Sequence, residues 1–446
     1  MICNFVFIFY LKEFMIQLKE NEGIPRNILL MMSIVGGLTV ANLYYNQPLL
    51  EEMRASLRIN EVEANFITVI TQIGYALGLL LIVPMADKCS RRRIVTTCMT
   101  IAMLMALVIA LASNVWVVWG ASIIIGACSV VPQIFVPMAG LFSRPEHKSR
   151  NMGFVLSGLL TGVLAARVIG GYLGGWLGWR LMFGLVAFVM LLSLLASLRM
   201  MPIMQSSFKG SYCSLIATIG KIYVAHPRMR SYSLRAAFSF GSMMSIWSCM
   251  AFHLADAPFH AGSDMVGMLG LCGVAGAMAA SGVGKYIPRY GIGKISCLGH
   301  LLQIMAWFVA YFLGHTYIGL ILAIILVDIG AQCLQLSNQS GCLKEVPDAT
   351  NRANTIFMTT LFVGGSLGTF CAGVAWECMG WLGVCAIGLA FALCSVITTG
   401  VISKAARPHP LTASPPNPLS LRRGGQVTFS SPVSCLRYFL KMNKER

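Results

Sequence analysis

Pro145-Glu146-His147-Lys148-Ser149-Arg150 recurs, with the same spacing of proline, acid and arginine, as Pro347-Asp348-Ala349-Thr350-Asn351-Arg352. The offset of 202 positions carries further: Leu159, Gly162, Gly171, Gly178 and Trp179 fall on Leu361, Gly364, Gly373, Gly380 and Trp381, and Gln133 falls on Gln335. Glycine matches alone would be weak in a chain with 44 glycines. A loop signature followed by a matched Gly-Trp pair is stronger, and the two halves read as a parallel repeat.

The repeated unit is a set of apolar runs. Six lie at about 28–47, 64–83, 94–113, 116–142, 152–173 and 180–198, and six more at about 233–254, 265–284, 295–314, 317–338, 354–375 and 382–402. Each is long enough for a helical crossing, which needs about 20 apolar residues. Composition agrees: 57% of the 446 residues are hydrophobic and 11% are charged, against roughly 25% charged in an average soluble domain. A water-soluble enzyme could not hide this much apolar surface, and a disordered chain would not carry it. The expected fold class is an all-α integral membrane protein with 12 transmembrane helices in two six-helix pseudo-repeats. Its expected parts are an N-terminal extension at 1–25, a first bundle at 26–199, a linker at 200–230, a second bundle at 231–403 and a disordered tail at 404–446. The tail, rich in Pro, Ser, Arg and Gly, cannot bury a core. The apolar stretch from Ile2 to Leu11 is too short to span and lacks a basic leader, so no signal peptide is expected.

The net charge of +17, from 33 Lys and Arg against 16 Asp and Glu, would in a soluble domain suggest nucleic acid. Here the bases fall in alternate loops. Segments on one side hold 20 of them before the tail, whereas the other side holds only Arg54, Arg58 and Arg180. Lys and Arg near span ends mark the cytoplasmic face, so both termini are expected there and no nucleic-acid partner is expected. The 15 cysteines lie mostly inside apolar runs, without a C-x-x-C pair or a Cys/His cluster. They read as small buried hydrophobes. Gly291-Ile292-Gly293-Lys294-Ile295 lacks the glycine spacing and the following hydroxyl of a phosphate loop, so no nucleotide engine is expected. The reading is a non-enzymatic monomer with no cofactor and no metal, whose partners are a small-molecule substrate, protons and membrane lipid.

Between the second and third runs lies Val83-Pro84-Met85-Ala86-Asp87-Lys88-Cys89-Ser90-Arg91-Arg92-Arg93. Positive-inside bias explains the arginines but not a lone acid among them. A carboxylate can accept hydrogen bonds at a facing helix N-terminus, while arginines pair with acids of neighbouring loops. The stretch resembles the G-x-x-x-D-R/K-x-G-R-R/K loop of the major facilitator superfamily, with Asp87 as the acid and Arg91 and Arg92 as the basic pair. Val83 and Ser90 stand where the family has glycine, and the equivalent loop of the second half has Pro288 in place of the acid. The fifth run, with Gly158, Gly162, Ala166, Arg167, Gly170 and Gly171, is similar to the glycine-rich motif of drug-proton antiporters, but Ala166 and Arg167 replace its Gly-Pro pair. Ser122 stands where the family typically has Arg in the fourth span. The string from Asn42 to Leu50, with Ser129 to Gln133, Leu336 to Gln339 and Asn351 to Asn354, resembles a group of uncharacterised bacterial permeases of this superfamily, over about residues 25–402. The resemblance implies the twelve-helix fold, transport across a bacterial cytoplasmic (inner) membrane by alternating access, and a conformational latch at Asp87, Arg91 and Arg92. It supplies no substrate.

Charges inside the spans are the sharpest candidates. Asp328 sits near the centre of the tenth run and is too short to snorkel. A charge at mid-membrane costs about 2.5 to 3.5 kcal/mol even on a lenient scale, so Asp328 must pair or be protonated, and it is the expected proton-coupling carboxyl. Arg167, six residues from the outer end of its run, either serves the site or snorkels. It reads as the only buried charge of opposite sign. Direct pairing with Asp328 is left open, because their depths differ by roughly 9 Å at 1.5 Å per residue. Asn42 shares a helical face with Tyr45 and Asn46, as Gln332 does with Gln335 and Gln339, and Gln133 is the repeat partner of Gln335. Such groups in lipid are either interhelical glue or ligands. They fall on the first, fourth and tenth spans, which line the cavity in the family resembled. Asn42, Tyr45, Asn46, Gln133, Arg167, Gln332 and Gln335 are accordingly the expected substrate-cavity residues. The expected function is proton-coupled secondary active transport of a small solute. A drug or metabolite efflux antiporter and an inactive pseudo-transporter with degenerate motifs are the alternatives.

Overall fold

The computed structural model describes residues 18–202 and 211–405. Most of the N-terminal extension, residues 203–210 of the linker and nearly all of the tail lie outside the described residues. Thirteen α-helices follow one another: α1 (Arg26–Ala41), α2 (Leu50–Leu57), α3 (Glu61–Lys88), α4 (Arg91–Leu111), α5 (Val115–Cys128), α6 (Val131–Phe142), α7 (Lys148–Met200), α8 (Tyr212–Ala225), α9 (Pro227–Ala255), α10 (Ser263–Gly270), α11 (Gly273–Leu313), α12 (Tyr317–Glu345) and α13 (Thr350–Ala405). No strand occurs among the described residues.

Three of these helices are too long for one crossing, and each turns back at a glycine with positive φ. Gly178 (φ 75°, ψ 156°) divides α7, Gly291 (φ 81°, ψ 160°) divides α11 and Gly380 (φ 58°, ψ −142°) divides α13. A Cβ at such angles clashes with the backbone, so the reversals fall on glycine. Gly178 and Gly380 are repeat partners, as are the short 3₁₀ turns Pro145–His147 and Pro347–Ala349 that introduce α7 and α13. The copied sequence thus makes a copied structure: turn, helix, glycine reversal, helix. With α7, α11 and α13 so divided, α5 joined to α6 and α10 to α11, the described residues form twelve long rods, besides the short α2 and α8. Seven helices are long and apolar enough to cross a membrane by length and composition alone.

Small residues set the closest helix contacts. A Cβ on Gly37 of α1 would press on the Gly158 carbonyl of α7, and one on Gly162 would press on Gly37. In the second half Gly364 and Gly368 of α13 meet Ala237 and Gly241 of α9 in the same manner. Lipid tails are as apolar as leucine, so association depends on such close packing and on interhelical hydrogen bonds. Large apolar side chains point outward instead, including Leu111, Leu181, Phe188 and Ile397, with Trp116 and Trp176 near helix ends where interfacial tryptophans gather. α9 is the exception that explains itself. It is serine-rich and buried almost continuously from Ser239 to Leu254, so it needs no lipid-facing surface.

Candidate functional site

Breaks in the helices shape the middle of the molecule. The chain leaves α1 at Ala41 and turns until a 3₁₀ segment at Gln47–Leu49, where Pro48 has no N–H to continue a helix. The fourth rod is interrupted at Ser129 and Val130 and resumes at Val131 with Pro132 in its first turn. The eighth is interrupted at Leu271 and Cys272. Irregular backbone at membrane depth is tolerated where it lines a cavity inside protein.

A chamber of about 110 Å³ lies beside these breaks, lined by polar Gln133, Arg167, Asp328, Gln332 and Gln335 and by the rings of Tyr44, Tyr75, Phe240 and Phe362. Gln133 and Met358 also line a vestibule of about 370 Å³, which reaches Arg91, Lys148, Asn351 and Arg352 at one end of the molecule. The opposite end is sealed. There Asn65 Nδ2 donates to the Thr369 carbonyl at 2.8 Å, Ser263 Oγ donates to Glu52 Oε1 and lies 3.2 Å from the Gly171 carbonyl, and Gly171 abuts Gly267. Chamber and vestibule thus share Gln133 and Met358 on their walls, and the contacts between halves lie toward the other end.

Arg167 does not snorkel. Its side chain is buried, Nε donates to Gln47 Oε1 at 3.0 Å, and the guanidinium carbon lies 4.0 Å from the centre of the Trp247 ring and 5.1 Å from that of Tyr44. Trp247 Nε1 in turn donates to Asp328 Oδ1 at 3.1 Å. The indole thus bridges arginine and carboxylate. Arg167 and Asp328 also face each other across Gly273: a Cβ there would lie 3.4 Å from Asp328 Oδ2 and 3.9 Å from Arg167 Nη1. They form no ion pair within 4.0 Å, in contrast to Lys19–Glu22 and Arg54–Glu51. The long arginine side chain closes most of the separation that counting along the helices implies.

Three expected lining residues lie elsewhere. Asn42 Nδ2 donates to Ser129 Oγ at 3.3 Å, Asn46 Nδ2 donates to Thr71 Oγ1 at 3.5 Å, and Tyr45 is buried with its backbone against Gly170. None of the three lines the chamber, whereas the adjacent Tyr44 does. The three- and four-residue spacing argument assumed an α-helix through Asn46, and the backbone there is a series of turns. Gln339 is also apart, donating to Asn354 Oδ1 at 2.8 Å toward the vestibule end. A second correction concerns charge: Arg235 on α9 is buried too, donating from Nε to Asn338 Oδ1 at 2.6 Å, so Arg167 is not the only buried cation. Sequence reasoning also passed over Trp247, Tyr75, Phe240 and Phe362. A tryptophan inside an otherwise serine-rich span was the available signal for the first.

Asp87 falls in the last turn of α3 and not in a loop, and its side chain lies outside the described residues. Arg91 opens α4 and lines the vestibule, while Arg92 Nη2 donates to the Leu198 carbonyl near the end of α7. No group of three or more His, Cys, Asp or Glu suited to a metal occurs among the described residues.

A multi-pass helical membrane protein with a polar chamber between its helices has the build of a solute transporter. The chain belongs to the Major Facilitator Superfamily, whose family description it matches over residues 32–369. It is 33% identical over 380 residues to the uncharacterized transporter YgaY of Escherichia coli O157:H7, covering 85% of this chain and 96% of that protein. It is 27% identical over 385 residues to a probable transporter of Streptomyces coelicolor, covering 86% and 89%. Among solved structures it resembles a mutant of the nucleoside transporter NupG, with a TM-score of 0.69 at 16% identity over 85% of this chain and 100% of that one. It also resembles a bacterial homolog of the human lysosomal transporter Spinster in an inward-facing, unoccupied conformation, with a TM-score of 0.67 at 18% identity over 86% and 98%. The fold is shared at these identities, and the superfamily is one of transporters, not enzymes.

Proposed function

We propose that this transporter is a proton-coupled secondary carrier working by alternating access, with Asp328 as the coupling carboxyl. The halves at 26–199 and 231–403 would rock about the chamber. The arginine-rich vestibule end would face the cytoplasm of a bacterial cell, with Asp87, Arg91 and Arg92 as the latch. The observation that carries the reading is the position of Asp328: buried at 5% exposure, on the wall of a chamber that shares Gln133 and Met358 with the vestibule, while contacts join the two halves toward the other end. A carboxyl in that place can load a proton from one side and release it to the other once the seal and the vestibule exchange roles. Ala166 and Arg167, in place of the Gly-Pro pair of drug-proton antiporters, weigh against the efflux antiporter reading.

The test begins with thermal-shift screening of the purified chain against metabolite and drug panels to supply a ligand. Asp328→Asn is nearly isosteric and removes only the titration. In proteoliposomes the variant should still exchange that ligand across the membrane but should not concentrate it when a pH gradient is imposed. Accumulation at the level of the native chain would eliminate Asp328 from coupling.

A further inference from the structure

The chemistry of the chamber wall narrows the solute itself. Arg167 commits only Nε to a protein acceptor, Gln47; among the described residues neither Nη forms a salt bridge or donates a hydrogen bond, and Nη1 lies 3.9 Å from where a Cβ on Gly273 would stand. A guanidinium whose carbon lies 4.0 Å from the Trp247 ring centre, with Nε already committed, has its two Nη groups left for the chamber, the edge that binds a carboxylate, sulfonate or phosphate through two parallel hydrogen bonds. The opposing wall is aromatic. Tyr75 and Phe362 have ring centres 4.4 Å apart, Phe240 lies 5.2 Å from Phe362, and Tyr44 flanks the arginine. Such a wall suits a flat apolar body.

The charge balance sets which protonation state receives that body. The titratable or charged groups facing Asp328 are Arg167 from α7, Tyr44 from the turn after α1, and Cys272 from the break before α11. Trp247 contributes a neutral donor, and the lining glutamines are neutral. With Asp328 ionised, arginine and carboxylate cancel, and an entering anion meets the carboxylate's repulsion. With Asp328 protonated, one uncompensated cation remains on the chamber wall, where an anion is favoured.

We infer that the solute is an organic monoanion with a flat apolar body, bound at Arg167 and carried together with a proton on Asp328. This rests on the coupling role proposed above and specifies what is coupled.

Benzenesulfonate is a suitable probe because it stays ionised throughout, so any pH dependence belongs to the protein. Benzenesulfonamide and benzyltrimethylammonium are its neutral and cationic counterparts. Calorimetry on the purified full-length chain should show benzenesulfonate binding at least tenfold more tightly at pH 5.5 than at pH 8, with uptake of about one proton per anion in buffers of different ionisation enthalpy. Asp328→Asn should bind it with the acid-limb affinity at both pH values. Arg167→Gln should lose binding more than tenfold, and Arg167→Lys, which keeps the charge, should recover part of it. Failure of benzenesulfonate to bind at either pH, equal binding of the sulfonamide or the quaternary amine, or tighter anion binding at pH 8 would overturn the inference. The two readings fail separately. Gradient-driven uptake of the quaternary amine would remove the anion assignment alone. Proton-linked sulfonate binding without any gradient-driven uptake would remove the transport reading and keep the site.

Discussion

Glu52 sits on α2, outside the spanning helices, and accepts the Ser263 hydroxyl at the sealed end. Burial pushes its carboxyl above the ordinary glutamate value; the Ser263 hydrogen bond pulls it back and the neighbouring Asp264 raises it further. Opening that end would return Glu52 to water and to its ordinary value, so the sealed form binds the proton more tightly. Acid therefore favours the seal, and the advantage is lost as pH rises from the usual carboxyl range through the raised value. A cysteine at Ala261, in a background without native cysteines, reports the opening. Its maleimide labelling should rise with pH more steeply in the native chain than in Glu52→Gln; parallel profiles would show that Glu52 does not bias the seal. At this same scale, Tyr44 and Tyr45 are indistinguishable by composition or burial in the sequence. Only the turn after Ala41 sends one to the chamber and the other against α7.

The Gly-Trp pairs at Gly178 and Gly380 were legible in the sequence as repeat partners, and the structure gives their glycines a common cause in positive φ at a helix reversal. Gly380→Ala should cost about 1 to 3 kcal/mol, the usual range for a side chain forced into a glycine-only conformation. Gly120→Ala is the control, since Gly120 lies within α5 with open space where a Cβ would stand. Thermal unfolding in detergent should show a lower midpoint for the first and an unchanged or slightly raised one for the second. Equal midpoints would mean that the reversal tolerates a side chain. The breaks at 129–130 and 271–272 were less legible. Pro132 announces the first, but nothing in the apolar run from 265 to 284 announces the second, which serves the chamber by bringing Gly273 and Gly276 beside Asp328.

For the whole molecule, the strongest untested expectation is orientation. The asymmetry of Lys and Arg predicts that the loop joining α3 to α4 faces the cytoplasm. A single cysteine at Ser90, in the same cysteine-free background, should resist membrane-impermeant maleimide in intact cells and react once the membrane is permeabilised. Rapid labelling of intact cells would invert the topology and place the vestibule outside. Arg91 lines the vestibule, so the result has a functional reading: protection of Ser90 would place the vestibule on the cytoplasmic side.

The sequence by itself determined the solvent, the number of runs, the repeat and the presence of a buried acid, because those depend on side-chain transfer energies and on spacings that survive in one dimension. It also singled out Gln133, Arg167, Asp328, Gln332 and Gln335, which line one chamber in the structure. What only the tertiary structure decided is who meets whom. Arg167 reaches the Gly273 gap opposite Asp328, Trp247 joins the two, Asn42 and Asn46 turn away to Ser129 and Thr71, and Arg235 is buried as a second cation. Periodicity fixes a face only while the helix continues, and counting along a helix measures Cα depth, whereas a site is made by side-chain ends converging from breaks and different helices.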